Sequence, residues 1–121
     1  MMFKEMSGVV SVREQMQNEV GSVVLINVFT VDPAQVDELI RAWSADAAFF
    51  KSQPGFISAQ LHRGIAGSGV FVNYAVWESV ARFRDAFSRP EFQAKLSDYP
   101  SSAVASPHLF QKVNVPNICV A

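Results

Sequence analysis

The chain of 121 residues is 50% hydrophobic and only 17% charged, with a formal net charge of −1. This is the size of one domain; the dispersed Lys and Arg residues form no basic stripe, which argues against a nucleic-acid partner, and no apolar run reaches the ~18 residues of a membrane helix. Cys119 is the single cysteine, so an internal disulfide is excluded and a reducing, cytoplasmic setting is expected; the N-terminus also lacks the unbroken apolar core of a signal peptide.

Residues 1–20 read as an extension in which Val9, Val10 and Val12 fit a short strand and Arg13 to Val20 a helix, an arm that packs on its own subunit or on a partner. The domain proper spans residues 21–116. Val23 to Val31 is rich in β-branched residues and predicts a strand. Asn27 interrupts it, on the same face as Leu25 and Phe29. It fits either a bond to a bulge or neighbouring backbone, or a donor aimed into a pocket. Asp32 and Pro33 then open a helix, with Gln35 placed for a capping box. Val36, Leu39, Ile40, Trp43, Ala47 and Phe50 follow at helical spacing, and Trp43 and Phe50 fit either the core or a pocket wall. Pro54-Gly55 ends this helix.

The centre of the chain is a hairpin: a strand over Phe56 to Arg63, a reversal holding Gly64, Gly67 and Gly69, and a strand over Val70 to Trp77. Alternation puts Phe71, Asn73, Ala75 and Trp77 on one face. With the reversal centred near Ala66 and Gly67, Gln60 lies opposite Asn73 and His62 opposite Phe71, which brings Ser58, Gln60, His62, Asn73 and Trp77 onto one surface. This mixed aromatic and polar surface predicts a small-molecule pocket. Ser79 caps a second helix carrying Val80, Phe83 and Phe87, and Ser88-Arg89-Pro90-Glu91 signals a break before Phe92, Leu96 and Tyr99. Residues 100–107 read as a loop, His108 to Val115 as the last strand, and residues 117–121 as an apolar tail that docks on a surface.

The order strand, helix, strand, strand, helix, strand is the ferredoxin-like βαββαβ pattern, an α+β fold with an antiparallel sheet and both helices on one face. The other face is expected to carry Val24, Ile26, Val28, Ile57, Ala59, Leu61, Val70, Val72 and Val76. Leaving such a surface in water is costly at about 25 cal/mol per Å², and the charge content is below the ~25% of an average soluble domain. A homodimer that packs sheet against sheet follows from both.

The runs QPGFISAQLH and NYAVWES, with the Asp-Pro-capped first helix, resemble the antibiotic biosynthesis monooxygenase domain over about residues 21–115. The resemblance implies a dimeric α/β barrel of ferredoxin-like halves. It implies insertion of oxygen from O₂ into a small aromatic, quinol- or polyketide-like substrate, with no metal, flavin or other cofactor. In the anthrone and quinol monooxygenase branch, the functional Asn and Trp fall on Asn73 and Trp77 and the histidine ending the second strand falls on His62. A tyrosine of the second helix falls on Phe83, and a later arginine has no counterpart, Leu96 or Ser97 occupying its region. The heme-degrading branch is the weaker expectation: its strand-one Asn falls on Asn27, but its second-helix Trp and axial His fall on Ala86 and Leu96. The catalytic candidates are therefore Asn73 and Trp77 as neutral donors and His62 as proton acceptor; Asn27, Phe83, Phe87, Trp43 and Phe50 are candidates for holding substrate. A module that binds quinones without oxidising them, or serves a stress response, is the alternative of a different class.

Overall fold

The computed structural model describes residues 1–120. Its five-stranded sheet has the order β1-β5-β2-β4-β3, with β1 Met2–Phe3, β2 Val23–Thr30, β3 Phe56–Arg63, β4 Val70–Trp77 and β5 Val104–Phe110. Strands β2 to β5 pair antiparallel and form the ferredoxin-like core, while β1 adds in parallel to the free edge of β5. The helices are α1 Val12–Gln15, α2 Val36–Lys51, α3 Val80–Phe87 and α4 Pro90–Lys95. The buried faces of α2 and α3 pack with that of the sheet into two apolar clusters, one around Phe29, Leu39 and Phe71 and one around Leu25, Trp77 and Phe83, and Phe92 of α4 packs on Phe50 and Phe87.

Local sequence accounts for most element ends. Asp32 accepts a bond from the Ala34 N–H at 2.9 Å and leads into a single 3₁₀ turn, Pro33–Gln35, before α2. Gln35 does not complete a capping box; its side-chain oxygen accepts from the Ser102 hydroxyl at 2.5 Å. Gly55 turns the chain from α2 into β3 at φ +87°, and a Cβ there would collide with that of Arg82, so only glycine serves. Ser79 caps α3 by accepting from the Arg82 N–H at 3.1 Å, and Pro90 begins α4 after the break at Arg89.

The last strand differs from expectation. It runs over Val104–Phe110, so it begins inside the segment read as a loop and stops before Lys112. Pro107 stands inside this strand although proline removes a ladder donor. The backbone groups of Ala103, Ala105 and Leu109 point away from β2, toward the N-terminal segment. By the same parity the missing N–H of Pro107 lies on that side, where β1 no longer reaches. Gln15 of α1 covers the next place, its side-chain amide donating to the Leu109 carbonyl and accepting from the Leu109 N–H, both at 2.9 Å. The extension thus packs on its own subunit, but Val9 lies exposed in a bend and makes no strand. Glu19 fixes its far end, accepting from the N–H groups of Gly21 at 2.8 Å and of Ala81 at 2.9 Å at the start of α3. These bonds hold its carboxyl below the usual range. Residues 111–120 lie exposed on this single chain, and Ala121 lies outside the described residues.

The hairpin register also differs. Arg63 pairs with Phe71, His62 with Val72, Leu61 with Asn73 and Ala59 with Ala75. Two causes combine. The turn places both Ala66 and Gly67 at positive φ, 62° and 75°, and the pairing is centred half a residue beyond the expected point. That shift puts Ser58, Gln60 and His62 on the outer face, and a bulge at Ile57, between the pairs Phe56–Trp77 and Ser58–Val76, returns Phe56 to the helix face. Phe56, Ala59 and Leu61 therefore share the helix face, whereas Ser58, Gln60 and His62 lie on the outer face.

Candidate functional site

Between the sheet and the helices lies a cavity. Its floor is Leu25, Asn27 and Phe29 of β2, Asn73, Ala75 and Trp77 of β4, and Phe56 and Ala59 of β3. Its roof is Trp43, Asp46, Ala47 and Phe50 of α2, with Phe83, Phe87, Phe92, Leu96 and Tyr99 beyond; Met1, Phe3 and Pro107 close one end. The cavity as it stands is small and closely filled by its own aromatic walls. A water-sized sphere can centre itself in only about 50 Å³ of it, so a flat ring system enters only as the phenyl side chains rotate apart.

The aromatic walls pack on one another. Trp77, 1% exposed, meets Phe50, Phe56 and Phe83 edge-on at centroid distances of 5.8, 5.5 and 5.8 Å. Phe87 joins Phe83 at 5.5 Å and Phe92 at 5.1 Å. Such contacts are favourable beyond their buried area and leave ring edges and faces turned to the cavity.

Four polar side chains line this apolar space. Asn27 and Asn73 are direct partners across β2 and β4. The Oδ1 of each is buried and lacks a hydrogen-bond partner in the chain. A half turn of either amide presents N–H₂ in its place. Asp46 is 4% exposed. Its Oδ2 accepts from the Tyr99 hydroxyl at 2.5 Å, and its Oδ1 is buried without a partner. Burial pushes the Asp46 carboxyl up to about 6, against the lowering effects of the Tyr99 bond and the Lys95 charge; the Asp98 charge adds to the rise. Burial and the neighbouring Asp46 push the Tyr99 phenol far above its usual range. Unpartnered buried polar atoms are costly and uncommon in native proteins, so their convergence on one cavity marks it as a place where a ligand supplies the missing bonds.

The structure brings Asn73, Trp77, Asn27, Phe83, Phe87, Trp43 and Phe50 together around this cavity. It does not bring His62: the register set at the turn carries that side chain to the outer face, where it is exposed beside Val72. Sequence reasoning missed Asp46 and Tyr99. The signal for Asp46 was present, since it stands three residues after Trp43 and four before Phe50, a carboxylate inside an apolar helical stripe. Among the described residues no group of three or more His, Cys, Asp and Glu is placed to hold a metal ion, and no helix is long and apolar enough to cross a membrane.

Comparison with known proteins shows the relatives of this chain. The family model described as antibiotic biosynthesis monooxygenase matches residues 22–95. The chain is 38% identical over 72 residues to deoxynogalonate monooxygenase of Streptomyces nogalater, an alignment covering 58% of each chain. It is 36% identical over 90 residues to tetracenomycin-F1 monooxygenase of Streptomyces glaucescens, covering 74% of this chain and 79% of that one. Among solved structures it resembles SnoaB, a cofactor-independent oxygenase from Streptomyces nogalater, with a TM-score of 0.70 and 29% identity over 81% of this chain and 99% of that one.

Proposed function

Because the chain belongs to the antibiotic biosynthesis monooxygenase family, we propose that it is a cofactor-independent monooxygenase that oxidises an anthrone-like phenolic compound with O₂. The observation that carries this reading is the pair of unpartnered amides, Asn27 and Asn73, set side by side in an aromatic-walled cavity. Such a cavity accepts a flat, electron-rich ring system between Trp77, Phe83, Phe87 and Phe50. The amides meet the substrate where negative charge develops.

The substrate is its own reductant. Removal of a proton from the activated methylene leaves a carbanion delocalised through the rings onto the ketone oxygen. It gives its electrons to O₂, and a new C–O bond forms in a peroxide. Once protonated, the hydroperoxide loses water and leaves a carbonyl. The balance is R₂CH₂ + O₂ → R₂C=O + H₂O. The protein's part is to exclude water, to hold the ring flat, and to direct the N–H₂ of Asn73 or Asn27 and the indole N–H of Trp77 at the anionic oxygens. Fixed donors of this kind in a dry site are commonly the largest part of catalysis. His62 is given no part, since it stands on the other face of the sheet.

The same reading includes a homodimer. The outer face carries Val24, Ile26, Val28, Val72, Tyr74 and Val76 in the register of β2 and β4, and no helix covers it. A second copy laid sheet to sheet would bury that surface and give the exposed tail of residues 111–120 a place to dock. The polar face of β3, with Ser58, Gln60 and His62, would form its rim.

Oxygen uptake with a panel of anthrones and hydroquinones tests the function. One O₂ consumed per substrate, with one atom of ¹⁸O in the product, is the expected result. Binding of the panel without oxygen uptake refutes it.

A further inference from the structure

We infer that Asp46 is the proton acceptor of this pocket, with Tyr99 as the group that positions it, so that the carboxylate removes the proton that starts the oxidation. This rests on the proposed monooxygenase reading and goes beyond it, because it assigns the base. Four observations carry it. Asp46 lines the same cavity as Asn27, Asn73 and Trp77. It is 4% exposed, yet among the described residues no cationic group lies within ion-pair distance of it, so it is not half of a buried ion pair. Its Oδ2 is held by the Tyr99 hydroxyl at 2.5 Å, which fixes the rotamer. Its Oδ1 is left buried with no hydrogen-bond partner in the chain.

A carboxylate held by one oxygen and idle at the other is arranged to receive a proton. Tyr99 is itself fixed by stacking on Phe29 at a centroid distance of 5.7 Å and an interplanar angle of 9°. The charged and titratable groups that act on Asp46 are Tyr99, Lys95 and Asp98. Burial outweighs them and brings the carboxyl up to about 6, so near neutral pH it is ionised and a stronger base than an ordinary aspartate. The step is a proton transfer: a substrate C–H bond breaks, its electron pair stays on carbon, and the proton forms an O–H bond on Oδ1 of Asp46. The same proton later passes to the peroxide, and the water that departs carries it away.

Exchange without oxygen isolates this step. Dithranol, a dihydroxyanthrone, is incubated under argon in D₂O with the full chain, and loss of its methylene proton signal is followed by NMR. The wild type is expected to accelerate exchange above the buffer background, with a rate that rises with pH through about 6. Asp46→Asn keeps an acceptor for Tyr99 but cannot take the proton, and should lower the catalysed rate about 10²–10⁴-fold. Tyr99→Phe removes the bond that favours the ionised carboxyl and should move the rising limb to higher pH, which a purely structural role would not do. Exchange at the wild-type rate by the Asp46→Asn variant overturns the inference, as does oxygen uptake by a wild type that catalyses no exchange. Exchange without oxygen uptake in air supports Asp46 as base and sinks the monooxygenase reading instead. If Asp46→Asn does not fold, the Tyr99→Phe shift decides: an unmoved limb overturns the inference.

Discussion

The burial of Asp46 makes a prediction about stability that needs no substrate. Its carboxyl stands at about 6 in the folded chain against an ordinary 3.8. The folded state therefore binds more protons than the unfolded state between those values, and stability must fall as pH rises. The contribution is fully present below 3.8 and is lost as pH passes through about 6. At about 1.4 kcal/mol for each pH unit, the gap sets an upper limit of about 3 kcal/mol. Water at the cavity mouth screens part of it, so about 2 kcal/mol is expected. The assay is urea unfolding of the wild type and Asp46→Asn from pH 4 to pH 8. Every other carboxylate cancels in the difference between the two proteins. Asparagine does not titrate, so the variant should gain about 2 kcal/mol relative to the wild type between the acid and the neutral end, whatever the offset from its changed bond to Tyr99. Parallel stability curves would refute the reasoning, and a difference of opposite sign would mean that Asp46 is held as a satisfied anion.

Asn73→Ala should lower oxygen-dependent turnover about 10²–10³-fold while weakening binding of a non-oxidisable hydroxyanthraquinone much less, because its amide acts on charge that appears during reaction; steady-state kinetics beside fluorescence titration read the two effects. Val72→Asp on the outer face should yield monomer in sedimentation velocity at micromolar concentration, since a buried unpaired charge costs several kcal/mol; an unchanged dimer would remove the sheet-to-sheet arrangement. Glu19→Ala should free the extension and raise amide exchange up to residue 20. Because the Glu19 carboxyl is held below its usual 4.5, its contribution is present above that value and lost as pH falls, so the stabilities of the two proteins should converge in acid.

The fold was legible where local chemistry and tertiary structure agree. The Asp32-Pro33 start, the Ser79 cap and the break at Pro90 stand where side-chain chemistry puts them, and both central strands have the ends that the glycine-rich reversal implies. Pro107 was illegible because its tolerance depends on which edge of β5 is free, a property of a partner strand a hundred residues away in sequence. The site divides in the same manner. Asn73 and Trp77 follow from strand parity within one uninterrupted strand, and Asn27 from the partner register. Asp46 and Tyr99 are recognisable as a pair only in three dimensions, since 53 residues separate them.

His62 shows the limit of parity most clearly, and it yields a last prediction. Alternation gives the right face only in the right register, and the half-residue shift at the turn moves His62 from opposite Phe71 to opposite Val72, while the bulge at Ile57 returns Phe56 to the cavity face. If that bulge is what separates Phe56 on the cavity side from Ser58 on the outer side, then Ile57 is the surplus residue. Its side chain is 58% exposed, and Phe56 and Ser58 already pair with the adjacent residues Trp77 and Val76. Deleting Ile57 should therefore join two residues whose partners are already consecutive, leave Ala59 opposite Ala75 and Leu61 opposite Asn73, and cost no more than an ordinary point change, about 1–2 kcal/mol. Cross-strand NOEs between Ala59 and Ala75 measure the register, and urea unfolding the cost. Loss of those NOEs in a folded protein, with Gln60 and His62 moved to the cavity, would mean that Ile57 is not surplus and that the hairpin turn does not hold the register of β3.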